Sequence, residues 1–196
     1  AITVLASAPN VIVVHPSVAA NSVRELIGLT KTKPGAVTYA TSGVGTSGHL
    51  AMELFKRMAG VDMVHVPYKG AGASTAAIAA GQVQALSTAL GAAFPYIKSG
   101  RLRALAVTAL KRAAVAPDIP TAAESGLPGY VVDGWFAALA PGKTPPRIVE
   151  RLQTDIAAVY KLPDMVERLT AMGFEAGSAP PRETTAFIAG EMAKWG

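Results

Sequence analysis

The sequence has no cysteine, few aromatic residues and few charges, and each shortage excludes a class of protein. Without cysteine, the 196 residues cannot form a disulfide scaffold, a thiolate metal site or a cysteine nucleophile. Aromatic residues make up only 6% of the chain and the basic residues are scattered, so we expect no nucleic-acid partner. The three histidines have no histidine four residues away, and we therefore expect no helical metal site.

The composition favours a compact folded protein with a mildly basic surface that suits small anions. Hydrophobic residues account for 51% of the chain and charged residues for 16%, enough apolar surface to offset the entropy lost on folding. Lysine and arginine outnumber the acidic residues by 18 to 13, which gives a mildly basic net charge of +5. Residues 70–97 carry no charge, but glycines and Pro95 interrupt them, so they do not resemble a membrane span. Because the chain opens with Ala1 rather than methionine, we expect that further residues precede it.

Short apolar runs alternate with amphipathic segments over the first 110 residues, and this alternation predicts an α/β fold. Five strands separated by helices favour a parallel sheet with right-handed crossovers. We predict that Leu50, Leu54, Phe55 and Met58 share the apolar face of the second helix. The predicted strands cover 11–14, 37–40, 63–66, 83–86 and 102–107, and the predicted helices begin at Ser22 or cover 46–59, 73–80 and 94–98.

The pattern changes after residue 110. A connection rich in proline and glycine covers 111–129, and an apolar extended segment covers 130–140. Three predicted helices follow, each with proline at or near its first turn, where the missing N–H group costs nothing. Three helices cannot close a core by themselves, so we expect them to belong to a second domain whose other strands lie elsewhere. These helices cover 145–160, 163–172 and 181–195.

A glycine-rich loop between the second strand and the second helix is the strongest candidate site. Glycines let a ligand approach the backbone closely, and the first turn of a helix offers unpaired N–H groups with a partial positive charge. A carboxylate or a phosphate needs such a site. The candidate ligand-binding residues of this loop are Ser42, Gly43, Gly45, Thr46 and Ser47.

The same loop allows two other interpretations. Gly43, Gly45 and Gly48 satisfy the G-x-G-x-x-G fingerprint, which suggests a nucleotide-dependent enzyme. That fingerprint needs an acidic residue at the end of the next strand to hold the ribose, and here the strand ends with His65, Val66 and Pro67. A glycine-rich connection that binds no ligand is the second alternative.

A second loop of the same kind follows the third strand. It adds Tyr68, Lys69, Gly70 and Ala71 to the candidate residues, and the end of the fourth strand adds Thr88. The carboxyl ends of parallel strands lie at one edge of a sheet, where ligands of open α/β folds bind. Lys69 could contribute charge or only be solvated, and Tyr68 could line a pocket or only pack. No arrangement of a nucleophile, a base and an acid is visible, so we predict a protein that is not an enzyme and has no cofactor.

The order of these motifs resembles that of one family. The segments 38–43, 45–50 and 66–70, followed by 105–108, 117–121 and 124–129 and by Trp135-Phe136, are similar to the tripartite tricarboxylate transporter receptor family, also called Bug solute-binding proteins. The resemblance covers nearly the whole chain in the correct order.

The resemblance implies a type II periplasmic-binding-protein-like α/β fold in which two lobes close on a small organic anion. Residues 10–130 would form one complete lobe with a parallel or mixed sheet. Residues 1–9 and 131–196 would form a hinge crossing and the mostly helical C-terminal part of the other lobe, whose N-terminal part is missing here. The ligand would be a dicarboxylate, a tricarboxylate or an aromatic acid. The family also implies a periplasmic location, a monomer, and membrane transporter subunits or a sensor kinase as partners.

One residue departs from the family pattern. The fourth strand usually ends with an aspartate, and this sequence has Thr88 there. Because an aspartate would suit a ligand amine, its absence disfavours amino-acid binding and favours a plain carboxylate or an aromatic acid.

Overall fold

The computed structural model describes residues 1–195, which form two compact units. The central unit is Pro9–Gly134, and the terminal unit combines Ala1–Ala8 with the residues from Trp135 onward. The strands are β1 (Thr3–Val14), β2 (Thr38–Thr41), β3 (Val64–Pro67), β4 (Ala85–Ala89), β5 (Arg103–Val107), β6 (Asp133–Ala138) and β7 (Glu175–Ala176). The helices are α1 (Val23–Thr32), α2 (Ser47–Ala59), α3 (Ala71–Ala79), α4 (Leu90–Lys98), α5 (Pro146–Val159), α6 (Pro163–Ala171) and α7 (Pro181–Trp195).

The central unit contains a mixed five-stranded sheet in the order β3-β2-β4-β1-β5. β2 pairs in parallel with both β3 and β4, as the alternating pattern predicts. The expectation that all five strands are parallel is wrong, because β1 runs antiparallel to β4 and β5. The continuous apolar run at its end indicates burial on both faces and carries no information on direction. No single crossover helix joins β1 to either neighbour, so the handedness rule does not constrain it.

The two faces of this sheet are covered by different helices. The face that carries Ala40 and Leu86 forms an apolar core with Ile78 of α3 and with Leu90 and Ala93 of α4. The opposite face packs against α2, where Ala51, Met52 and Phe55 are buried. Since α2 leads from β2 outward to β3, and α4 leads from β4 the other way to β5, the topological switch point lies between β2 and β4.

The local sequence predicts the ends of the helices better than it predicts which face of α2 is buried. Ser22 caps α1 and accepts a hydrogen bond from the Glu25 amide at 3.2 Å, as the capping box predicts. Gly60 ends α2 in the left-handed conformation. The predicted apolar face of α2 is wrong except for Phe55, because Leu50 and Leu54 are only partly buried and Met58 is exposed. Gly48 lets the start of α2 lie close to the sheet, and the face that it shares with Met52 and Phe55 is the buried one.

The terminal unit contains β6 from Trp135 onward, β7, the first part of β1 and the three C-terminal helices. Ala6 and Ser7 of β1 pair antiparallel with the short strand β7, which the sequence does not predict. The helices α5 and α6 bury none of their residues fully, and many of their apolar side chains are exposed. Among residues 1–195, no helix is both long enough and apolar enough to cross a membrane. The exposed large apolar residues of α5 and α6 are Ile148, Leu152, Val159 and Val166.

Candidate functional site

The two glycine-rich loops are joined by backbone hydrogen bonds. We call residues 42–46 the first loop and residues 68–70 the second loop. The Gly70 N–H group donates to the Ser42 carbonyl at 2.9 Å, and the Tyr68 N–H group donates to the Thr41 carbonyl at 3.0 Å. These contacts continue the parallel pairing of β2 with β3 beyond the ends of both strands. The candidate residues of the two loops therefore lie side by side at the carboxyl edge of the sheet.

Both loops lead into helices whose first turns have no side-chain cap. Thr46 occupies the N-cap position of α2, but its hydroxyl donates to the Gly43 carbonyl at 2.8 Å and does not cap the helix. Gly70 precedes α3 with a φ of 98°, and having no side chain it cannot cap that helix. The first turns of α2 and α3 thus keep N–H groups and a partial positive charge for an anion. Ala71 begins α3 and supplies one of these amides, two residues earlier than the helix pattern predicts.

The start of α2 lies directly against the end of β4. A Cβ atom placed on Gly48 would lie 2.3 Å from the Ser87 carbonyl oxygen, so only glycine fits there. The G-x-G-x-x-G spacing has a packing reason at its last position, without any nucleotide. The segment that follows β3 contains Tyr68 and Lys69 and has no acidic residue to hold a ribose.

The switch point between β2 and β4 gathers further polar side chains, of which the sequence analysis named only Thr88. Ser87 faces α2 with Thr41, whereas Thr88 lies on the opposite face with Leu86. Both side chains are buried, and their hydroxyl oxygens have no hydrogen-bond partner among the described residues. Buried polar groups are normally hydrogen-bonded, so partnerless ones need an explanation.

Sequence reasoning missed Asn10, which lies at the same edge. Asn10 pairs with Ala89 in the antiparallel register and is 2% exposed. The Ser47 hydroxyl donates to its Oδ1 atom at 3.4 Å, while its Nδ2 atom has no partner among the described residues. A lone amide in a strand that is otherwise apolar from residue 8 to residue 14 was the available signal.

A polar network between α2 and the strands contacts the first loop. The Gly45 N–H group donates to His49 Nδ1 at 3.3 Å, and the His49 ring lies 4.4 Å from the ring of His65. Thr41 Oγ1 contacts His65 Nε2 at 2.7 Å and also accepts from the Gly43 amide at 3.3 Å. His49 thus holds the Gly45 amide and packs against His65.

Burial and neighbouring charges shift the acid–base properties of this network. Burial lowers the pKa of His65, and the adjacent His49 adds to the effect. Burial raises the pKa of Tyr39, whose hydroxyl donates to Glu53. Burial alone would raise the pKa of Glu53, but hydrogen bonds from Tyr39 and Lys56 outweigh it and lower this pKa. Near neutral pH, the network therefore contains the ionised carboxylate of Glu53 and the neutral imidazole of His65.

The remaining candidates differ in their exposure. Lys69 is exposed, and it is the one charged side chain in the two loops. Tyr68 is partly buried and packs against the apolar core on the α3 side of the sheet, in agreement with the packing alternative. Ser42 and Gly43 are partly exposed and Gly45 is exposed, so a ligand can reach the backbone of the first loop.

Comparison with known proteins identifies the family. The model of the tripartite tricarboxylate transporter family receptor matches residues 1–196. The chain belongs to this family. Among the curated relatives of the chain, protein BugT of Bordetella pertussis is 34% identical over 194 residues, which cover 99% of the chain and 60% of BugT. A protein from the tcbD-tcbE intergenic region of a Pseudomonas species is 33% identical and covers 99% of the chain.

Solved structures of the family have the same fold. Rpa4515 of R. palustris, determined with adipate, superposes with a TM-score of 0.91 at 36% identity and covers 99% of the chain. MatC of Rhodopseudomonas palustris, with bound malate, superposes with a TM-score of 0.87 at 26% identity. The chain covers 65% and 67% of these two structures, respectively. It also spans only about 60% of the length of the curated relatives named above.

Proposed function

We propose that the protein is an extracytoplasmic solute-binding receptor, located in the periplasm, that captures a small carboxylate. The observation that carries this proposal is the hydrogen bond from Gly70 to Ser42, which joins two loops that each lead into an uncapped helix. Two open helix starts beside a topological switch point form a site for a compact anion. We assign ligand binding to Ser42, Gly43, Gly45, Thr46, Ser47, Tyr68, Lys69, Gly70, Ala71 and Thr88.

Backbone amides and hydroxyls are sufficient for tight binding. A micromolar Kd corresponds to about −8 kcal/mol. Each hydrogen bond to a charged group contributes about 1.5–3 kcal/mol, so four or five of them reach that value after the costs of ordering. No group in this arrangement is placed to make or break a covalent bond, and the proposal is therefore binding without catalysis.

The nature of the ligand follows from the charge and from the family. Adipate and malate are the ligands of the two R. palustris proteins, and both are dicarboxylates. Thr88 stands at the strand end where an acidic side chain would pair with a ligand amine. A neutral hydroxyl there, with Lys69 as the one charge in the loops, favours a dicarboxylate, a tricarboxylate or an aromatic acid over an amino acid.

We assign the central unit to a complete lobe of the receptor and the terminal unit to part of a second lobe. The exposed apolar side chains of α5 and α6 favour a covering segment outside these 196 residues, in keeping with the greater length of the relatives. That segment would supply the rest of the carboxylate site, and the lobes would close on the ligand by a hinge motion. The partners would be membrane subunits of a tripartite tricarboxylate-type transporter or a sensor kinase, bound by a monomeric receptor.

Isothermal titration calorimetry of the full-length protein tests the proposal. We expect saturable binding of at least one compound from a panel of adipate, malate, citrate and benzoate, and no binding of NAD or NADP. Binding of a dinucleotide without any carboxylate would instead favour the enzyme alternative. A pull-down from the membranes of the source cells, with and without the bound carboxylate, then distinguishes a transporter subunit from a sensor kinase as the partner.

A further inference from the structure

Asn10 lies where the start of α2 meets the end of β4, and its side chain is only half satisfied. The Ser47 hydroxyl donates to Asn10 Oδ1 at 3.4 Å, and the Asn10 Nδ2 atom is buried without a partner among the described residues. A side-chain amide offers two donors on its nitrogen, and burial without an acceptor is unfavourable. The fold retains this cost at the edge of the sheet where the ligand is proposed to bind.

The backbone around Asn10 is fixed, which limits the positions that its side chain can reach. The Asn10 amide donates to Thr108 Oγ1 at 3.1 Å, and the Thr108 amide donates to the Asn10 carbonyl at 2.8 Å. Thr108 is fully buried and its hydroxyl also donates to the Val132 carbonyl. The main chain of Asn10 is thus anchored to the core of the central unit.

The neighbours of Asn10 indicate which kind of group completes its hydrogen bonding. Ser87 lies on the same face of the sheet, paired with Ile12, and its hydroxyl oxygen is also buried without a partner among the described residues. The first turn of α2 begins at Ser47, with no side chain to accept from its amides. Donors therefore converge from a strand, a neighbouring strand and a helix start. The two loops contain no acidic side chain that could accept from these donors, and converging donors suit an acceptor with negative charge.

We infer that Asn10 is a specificity-determining residue whose Nδ2 atom donates to a carboxylate oxygen of the bound ligand, and that Ser47 orients it by holding Oδ1. This inference rests on the proposed function and adds a residue to it. Asn10 Nδ2 and the uncapped amides of α2 together offer donors to both oxygen atoms of a carboxylate, whereas a carboxamide has one acceptor oxygen and presents an N–H group to the remaining donors. The receptor therefore prefers a dicarboxylate to its monoamide.

The test compares Asn10→Asp with the wild type, using the full-length protein. The aspartate is nearly isosteric but presents oxygen atoms, so it repels a carboxylate and accepts from a carboxamide. The probes are adipate with adipamate and malate with its monoamide, titrated by calorimetry. We expect the variant to lose dicarboxylate affinity by about thirtyfold and monoamide affinity by no more than about threefold, which reverses or removes the preference.

Two further variants keep the inference testable if the aspartate impairs folding. Asn10→Ala removes the donor without adding charge and should weaken dicarboxylate binding by about tenfold. Asn21→Ala is the matched control, because Asn21 lies on the exposed surface and donates to Glu25 at 3.3 Å, so it should leave affinity unchanged. Thermal unfolding of each variant establishes that it is folded at the temperature of the titration.

The outcomes separate this inference from the proposed function. Selective loss of dicarboxylate binding in the Asn10 variants supports the role of Asn10. Unchanged affinities, or an equal loss for both kinds of ligand, would overturn that role while leaving the receptor intact. A wild-type protein that binds none of the carboxylates would overturn the proposed function itself, and with it the assignment of Asn10.

Discussion

Gly48 faces the carbonyl oxygen of Ser87 so closely that a Cβ atom on Gly48 would lie 2.3 Å from it. This contact sets the distance between the start of α2 and the end of β4, the two elements at the switch point of the sheet. Real Cβ atoms do not approach an oxygen so closely, and the other party to the contact is backbone, so a side chain here must displace the helix. The position of the proposed anion site therefore depends on the absence of a side chain at one residue.

Gly48→Ala should destabilise the protein and weaken ligand binding together. The overpacking should cost about 1–3 kcal/mol in the free energy of unfolding, because the added methyl group moves the first turn of α2 away from β4. Urea denaturation measures the loss of stability, and calorimetry with a dicarboxylate measures the loss of affinity.

The matched control is Gly28→Ala in α1, where a Cβ atom meets nothing within 4 Å. Alanine should stabilise that helix by up to about 1 kcal/mol. Equal effects of the two changes would contradict the role of the close contact.

Gly45→Val should remove ligand binding and leave the protein folded. Gly45 has a φ of 79° and open space around its Cβ position, so a valine would occupy the approach to the start of α2. Gly129→Val controls for backbone strain, since Gly129 has a φ of 80° and nothing within 4 Å, but lies in another part of the central unit. Both variants should lose similar stability in thermal unfolding, and only Gly45→Val should lose affinity in calorimetry. Retention of affinity in Gly45→Val would mean that the ligand does not approach the first loop.

Stability should fall as the pH is lowered below about 6.5, partly because of His65. Burial lowers the pKa of this residue from 6.5, so the unfolded chain binds the proton more readily than the folded one. The stability that the neutral ring provides is complete above the unfolded pKa and is lost as the pH falls from that value through the lower pKa of the folded state. Urea denaturation at pH 7.5 and at pH 5.5 should show a smaller loss of stability for His65→Gln than for the wild type.

His15→Gln is the control for this pH dependence. His15 contacts Ser17 near the surface, away from the network under the first loop, and its replacement should preserve the wild-type loss of stability. Glu53 does not interfere in this range, because its pKa is lowered from 4.5 and it stays ionised at both pH values. An identical pH dependence for His65→Gln and the wild type would rule out the contribution of His65.

The sequence predicts the alternation of elements in the central unit well, because period and capping are local properties. Ser22, Gly60 and the prolines at the starts of α5, α6 and α7 mark helix ends that the structure confirms. The direction of β1 is not predictable in this way, since it depends on pairing with strands more than seventy residues away. The buried face of α2 also depends on tertiary packing, which buries Ala51 and Met52 and leaves Leu50 and Leu54 only partly buried.

The sequence predicts the loops of the candidate site, but it does not predict the buried residue Asn10. A glycine-rich loop followed by a helix indicates open N–H groups, and Gly45 and Gly70 illustrate this. Asn10 lies about thirty residues before the first loop and reaches α2 only through the sheet order, with β4 between β1 and β2. A single polar residue in an apolar strand is a signal of function that can be interpreted only once its neighbours are known.

The 196-residue chain by itself should bind a dicarboxylate at least about tenfold more weakly than the full-length protein, because a two-lobe site loses the donors of its other half. Calorimetry with adipate and malate under identical conditions measures the two affinities. The fluorescent probe ANS, which binds exposed apolar surface, should bind the 196-residue chain more strongly, since Leu152, Val159 and Val166 are exposed in it. The Gly45→Val variant of the full-length protein is the control, because it should lose affinity without gaining ANS binding. Equal affinities for the short and the long chain would mean that the central unit holds the entire site and that no second lobe contributes donors.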